Sequence, residues 1–271
     1  MLNLVFSPLT SLGRRAITTL EFIGGVGYLL RDTGLLVRDA LFNKRGRRLG
    51  WTNLWAQMVR VGVNSIPIVC LVVFCIGAIL ALQIAPILRD YGAQPQVADI
   101  ISIAMFRELG PLVAAIVLPG FAGASIAAEL GTMVVSEEIE ALESEAISPV
   151  RFLVVPRVLA TTVMMVCLAV VADLMGVFGG MATGRLFVGL GFHQYLQHTF
   201  DAIKVRDFIT GLVKSCVFGS LISSFACYLG LGVTGGAEGV GSATTRTVVL
   251  TIVALIVVDL MFTAVFYHLG W

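Results

Sequence analysis

Four ionisable residues sit inside otherwise apolar stretches of this chain: Arg107, Glu108, Asp173 and Asp259. A charge held in hydrocarbon is costly, so such groups line pathways, hold ligands or pair with one another. Arg107 and Glu108 are neighbours, and on a helix adjacent side chains point about 100° apart. They need not pair with each other and are read as lining a cavity. Asp173 and Asp259 are read as structural partners of basic groups inside the bundle. In the alternative, one of them or Glu108 is the proton site of an ion-coupled carrier.

A second cluster is acidic and lies between two apolar segments, in ELGTMVVSEEIEALESEAISPVRFLVVP, residues 129–156. Val135, Ile139, Leu142 and Ala146 recur at i, i+4, i+7 and i+11, one face of a helix. Glu137, Glu138, Glu140, Glu143 and Glu145 fill the rest. Ser136 is placed to cap it, two glutamates fall in its first turn, and Pro149 disfavours helix at Ser148. The spacing predicts a short helix over 136–147. It is either a docking element for a soluble partner or a solvated turn.

Other chemistry is excluded by missing constellations. Gly230, Gly232 and Gly235 spell GxGxxG, but after an apolar helix, not in the strand–turn–helix context of a dinucleotide site. The glycines of 230–241 are read as a flexible turn. No GxxxxGK[ST], HExxH or GxSxG occurs, so the chain is not expected to cradle ATP, bind a catalytic metal or act as a hydrolase. No cofactor, metal or nucleic-acid site is expected. The five cysteines (Cys70, Cys75, Cys167, Cys216, Cys227) form no CxxC and are read as small buried hydrophobes.

These groups must be positioned by membrane-spanning helices. Of 271 residues, 58% are hydrophobic and 13% charged, about half the charge of a soluble domain. A span takes roughly 20 apolar residues. The pattern predicts an all-α integral membrane protein with five spans, near 63–82, 97–128, 158–183, 215–237 and 247–267. The second is broken or kinked by Pro111 and Pro119. Half of the Lys and Arg, nine of eighteen, precede residue 61, which places the N-terminus and the acidic loop in the cytoplasm and the C-terminus outside.

Within residues 1–50, Leu12, Ala16, Leu20, Ile23 and Val26 make an apolar stripe. That stripe suits an interfacial helix, with Lys44–Arg48 on anionic head groups; a disordered basic leader is the alternative. Small residues recur every fourth position, as Gly120/Ala124/Ala128, Gly123/Ala127/Gly131 and Gly176/Gly180/Gly184. Such rows allow close helix contact, within one protomer or across a dimer.

The blocks RELGP, AELGTM…SEEIEAL and SPVRFLVVPR (within residues 107–160) and TTRTVV (244–249) occur together and in order. In them the chain resembles the MlaE/YrbE family of ABC-transporter permeases, over residues 51–271. The resemblance implies a homodimeric permease domain, with five spans and an N-terminal interfacial helix per protomer, in the inner membrane. It implies a cytoplasmic ABC ATPase, an MCE-domain protein on the periplasmic side, a small STAS-type accessory subunit, and phospholipid or a related lipid as cargo.

The 136–147 element would then be the coupling helix, with Val135, Ile139 and Leu142 as anchors beside Glu138, Glu140 and Glu143. Arg107, Glu108, Arg246, Leu80 and Ile87 match positions at the central lipid cavity, where Arg107 or Arg246 would meet a phosphate. Two departures stand out. Gly120-Phe121-Ala122-Gly123-Ala124 lacks the family's common arginine, which removes a polar role from that turn. Ala146 stands where the family commonly has glycine, so the coupling helix is expected to run further toward Pro149. An ion-coupled carrier and a non-transporting scaffold are the rival readings.

Overall fold

The computed structural model describes residue 17 and residues 20–38 and 51–270, and every regular element among them is helical. Lys44–Arg48, Leu12 and Ala16 lie outside the described residues. Helix α1 covers residues 20–38. Phe22 packs edge-on against Phe225 and Tyr228 of a later helix, and Val26 is buried while Leu20 and Ile23 face outward.

Five stretches are long and apolar enough to cross a membrane: Asn53–Asp90, Gln96–Val135, Val150–Phe187, Val205–Leu231 and Gly236–His268. The first is built from α2 (Trp51–Val61), a 3-10 turn, and α3 (Ile66–Asp90). The second joins α4 (Gln96–Ala104), α5 (Gly110–Leu118) and α6 (Ala124–Val135). Then come the short α7 (Glu138–Ser144), α8 (Val155–Thr183), the surface helix α9 (Phe192–Ala202), α10 (Val205–Leu231) and α11 (Gly236–His268).

Pro111 and Pro119 do not break the second span. Each lacks the N–H that the ladder needs, and the helix carries on through a wide π turn ahead of Pro111, at Met105–Leu109, and another that starts at Pro119, Pro119–Gly123. The fourth span begins at Val205, not near 215, because Lys214 is neutralised inside the bundle and does not mark a helix end. The fifth begins at Gly236, so Gly239 and Gly241 are helical and the turn between α10 and α11 is confined to 232–235.

Helix α8 is the hub, touching α2, α3, α4, α5 and α10. Its contact with α3 is backbone on backbone. A Cβ on Gly77 would strike the Gly176 carbonyl, and one on Gly179 would strike that of Phe74. Glycine at these positions therefore sets the helix separation, as packing in lipid requires. The Gly176/Gly180/Gly184 row is spent inside the protomer, against Met105, Ile101 and Tyr195. Gly123 and Gly131 likewise face residues of α10, α11 and the turn between them. Gly120 is open, and Ala124 and Ala128 are only half-buried. Cys227 alone of the cysteines is buried; Cys75, Cys167 and Cys216 face out of the bundle.

Candidate functional site

Arg107 and Glu108 both stand on the π turn Met105–Leu109. Without an N–H at Pro111, the Gly110 N–H reaches back five residues to the Met105 carbonyl. The widened turn presses against α10, where a Cβ on Gly211 would collide with the Phe106 carbonyl. Asp207 and Lys214 flank that glycine seven residues apart, so they share its face of α10.

Each charge of the π turn therefore meets its own partner. Arg107 Nε donates to Asp207 Oδ1 at 2.6 Å, and Nη2 lies 2.6 Å from the same oxygen. Asp207 is 2% exposed and Arg107 40%. Lys214 Nζ donates to Glu108 Oε2 at 2.5 Å and to Thr263 Oγ1 at 3.0 Å, and forms an ion pair with Asp259 Oδ1 at 2.9 Å. Thr263 in turn donates to Glu108 Oε1 at 2.8 Å. Lys214 is 1% exposed and Glu108 34%.

Three helices bring these groups to one depth. At 1.5 Å per residue, Arg107, Lys214 and Asp259 lie about 14–16 Å from the ends of α4, α10 and α11 on the face opposite α7, roughly half of a bilayer core. Between them is a cavity of about 150 Å³ lined by Arg107, Glu108, Thr210, Lys214, Thr263, Phe266 and Tyr267. It combines a partly exposed guanidinium, a carboxylate about one third exposed and two aromatic rings, the equipment for a small charged group attached to something apolar.

The other expected cavity residues are placed elsewhere. Leu80 is half-buried against the core, Ile87 is exposed near the end of α3, and neither lines this cavity. Arg246 is exposed on α11, seventeen residues before Thr263 and so about 26 Å away along the helix. Asp259 has the basic partner expected of it. Asp173 has none among the described residues: it is buried in α8 against Gly110, and its Oδ1 lacks a hydrogen bond. A fourth span starting near 215 leaves Asp207 and Lys214 outside the hydrocarbon, and Thr263 carries no charge to mark it, so the sequence pattern singles out none of the three.

On the other face, Glu129 joins three helices. Its carboxylate is 2.6 Å from Arg60 Nη1 and 2.9 Å from Arg157 Nη2, and Arg60 also donates to Ser125 at 2.8 Å. Beyond it, α7 is shorter than the predicted 136–147. Ser136 closes α6 and does not cap α7, while Glu137 precedes α7 at φ 62°. Ala146 follows at φ 58°, the left-handed conformation that ends a helix. Ala146 thus does what glycine would do, and the helix does not run on to Pro149. Ile139 and Leu142 turn toward the core; Val135, Ile147 and the carboxylates of Glu138, Glu140 and Glu143 face outward.

Residues 54–265 match the family described as Permease MlaE. A probable ABC transporter permease protein of Rickettsia felis is 38% identical over 258 residues, covering 95% of this chain and 96% of its own. The intermembrane phospholipid transport system permease protein MlaE of Haemophilus influenzae is 28% identical over 268 residues, 98% of this chain and 100% of its own. The chloroplastic protein TRIGALACTOSYLDIACYLGLYCEROL 1 of Arabidopsis thaliana is 29% identical over 221 residues, 82% of this chain and 63% of its own.

Proposed function

The chain belongs to the MlaE permease family, and on that premise we propose that it is the lipid-moving membrane subunit of an ATP-binding-cassette complex in the bacterial inner membrane. Its cargo is phospholipid, carried between that membrane and the outer envelope. ATP hydrolysis belongs to a separate ATPase chain, and a second copy of this chain completes the translocation path. The α7 face is cytoplasmic, in line with the excess of Lys and Arg before residue 61. The opposite face, with α9 and the ends of α4 and α10, meets an MCE-domain protein.

The observation that carries this reading is the charged cavity halfway into an apolar bundle. Head groups are polar and acyl chains are not, so a lipid path needs both. Here Arg107 offers a charge-assisted contact to a phosphate, while the exposed apolar side chains of α3 and α11 face the hydrocarbon. The ATPase acts through α7. Because Ile139 and Leu142 are turned inward, its docking surface is the acidic side of that helix with Val135 and Ile147, which fits a basic groove on the partner.

The test is reconstitution of the tagged chain, with its co-purifying partners, into vesicles holding a fluorescent phospholipid. ATP-dependent transfer to acceptor vesicles is expected. Loss of both the ATPase and transfer in the triple variant Glu138→Lys, Glu140→Lys, Glu143→Lys is expected too. Transfer at the same rate without ATP would sink the reading in favour of an ion-coupled carrier.

A further inference from the structure

The five charges of the cavity do not balance. Counted by formal charge, Arg107 and Lys214 are cations and Glu108, Asp207 and Asp259 are carboxylates. Arg107 is matched by Asp207, which leaves one lysine between two carboxylates. The surplus is not spread evenly. Asp259 is buried and absent from the cavity lining, whereas Glu108 is on the lining and a third exposed. Each of its oxygens already accepts one hydrogen bond, and a carboxylate oxygen can accept two.

The groups beside Glu108 share this preference for positive charge. Phe266 and Tyr267 line the same cavity, and aromatic faces attract ammonium groups, by about two- to fivefold in affinity (about 0.5–1 kcal/mol) at an exposed ring such as Tyr267. Arg107, half-exposed on the same π turn, supplies the complementary cation at another edge of the lining.

We infer that this site selects phospholipids whose head group carries an ammonium beside its phosphate, with the ammonium at Glu108, Phe266 and Tyr267 and the phosphate at Arg107. The inference rests on the phospholipid-permease reading and sharpens it. A head group with a phosphate and no cation would add negative charge to a cavity that already holds a surplus carboxylate. A zwitterionic head group places each of its charges against an opposite one.

The experiment uses the full chain with its co-purifying partners in nanodiscs of equimolar phosphatidylethanolamine and phosphatidylglycerol. The lipids retained through detergent exchange are quantified by mass spectrometry. The wild type is expected to hold the ethanolamine lipid at about fivefold or more over its share of the disc, since a charge-assisted contact supports roughly that ratio. Glu108→Gln should bring the ratio down to that of the disc. So should Asp259→Asn, which removes the surplus charge without touching the cavity lining. Tyr267→Leu, at an exposed position where folding is not at stake, should lower it in part.

A wild-type ratio equal to that of the disc, or enriched in phosphatidylglycerol, overturns the inference and leaves the permease reading standing. Full enrichment retained in both Glu108→Gln and Tyr267→Leu overturns it as well. No phospholipid retained by the wild type would overturn the permease reading itself.

Discussion

Asp207 ties Arg107 to the start of α10. One carboxylate oxygen takes Nε and Nη2 of Arg107 at 2.6 Å, and the other accepts the backbone N–H of Lys204 at 3.0 Å. A single side chain therefore fixes the aim of the cavity's guanidinium and satisfies an orphan donor at the helix N-terminus. The two jobs are separable by mutation.

Asp207→Asn keeps an acceptor for Lys204 and discards the ion pair. The expected loss is about 1–2 kcal/mol, read as a lower midpoint of thermal unfolding in detergent, with slower lipid transfer as Arg107 loses its anchor. Asp207→Ala removes the cap as well and should cost about 1 kcal/mol more.

Lys214→Met leaves the carboxylates of Glu108 and Asp259 without their cation. Breaking a buried pair from one side costs about 3 kcal/mol or more, so the variant should express poorly or melt early. Adding Asp259→Asn should recover most of that loss, because the stranded charge and not the missing contact dominates. A double-mutant cycle on melting midpoints in detergent measures the recovery; a double variant no better than Lys214→Met would refute this account.

These charges show how far the sequence could be read. Hydropathy alone located five spans, and Arg107 and Glu108 stood out because they interrupt one of them. Lys214 looked like the end of a span, since an unpaired lysine belongs at the interface. Only the partners across the bundle, 106 residues away at Glu108 and further along at Asp259, make its burial tolerable, and such pairings leave no local pattern. The α7 helix shows a different limit. Its apolar periodicity was visible, but periodicity identifies a face without saying whether that face turns to the bundle or to a partner, and Ile139 and Leu142 turn inward.

The ends of α7 carry two residues in the left-handed region, Glu137 at φ 62° and Ala146 at φ 58°. Side chains with a Cβ are strained there and glycine is not. Ala146→Gly is expected to stabilise the protein by roughly 0.5–1 kcal/mol, whereas Ala141→Gly inside α7 should destabilise it by about as much. Thermal melts of the two variants decide the point; equal shifts of the same sign would refute it.

Glu129 holds α2, α6 and α8 together through Arg60 and Arg157, the latter almost fully buried and also donating to the Leu153 carbonyl at 2.8 Å. Glu129→Gln should cost about 2 kcal/mol, less than a fully buried pair because Glu129 is partly exposed. The same melts would show it, and Asp90→Asn at the far end of α3 serves as a surface control with no expected shift.

The position of Lys214 in the order of synthesis has a consequence for how the protein enters the membrane. Its partners come from both sides of it in the chain: Glu108 is made earlier, while Asp259 and Thr263 arrive on the following helix. Helix α10 is also the least apolar of the five spans, and α11 is the one least enclosed by the rest of the chain. An α10 leaving the insertion machinery alone would meet Arg107 and Glu108, already made, but not Asp259 or Thr263. The two helices therefore settle as a pair, the strongly apolar α11 supplying the drive into the bilayer and the remaining polar contacts of Lys214.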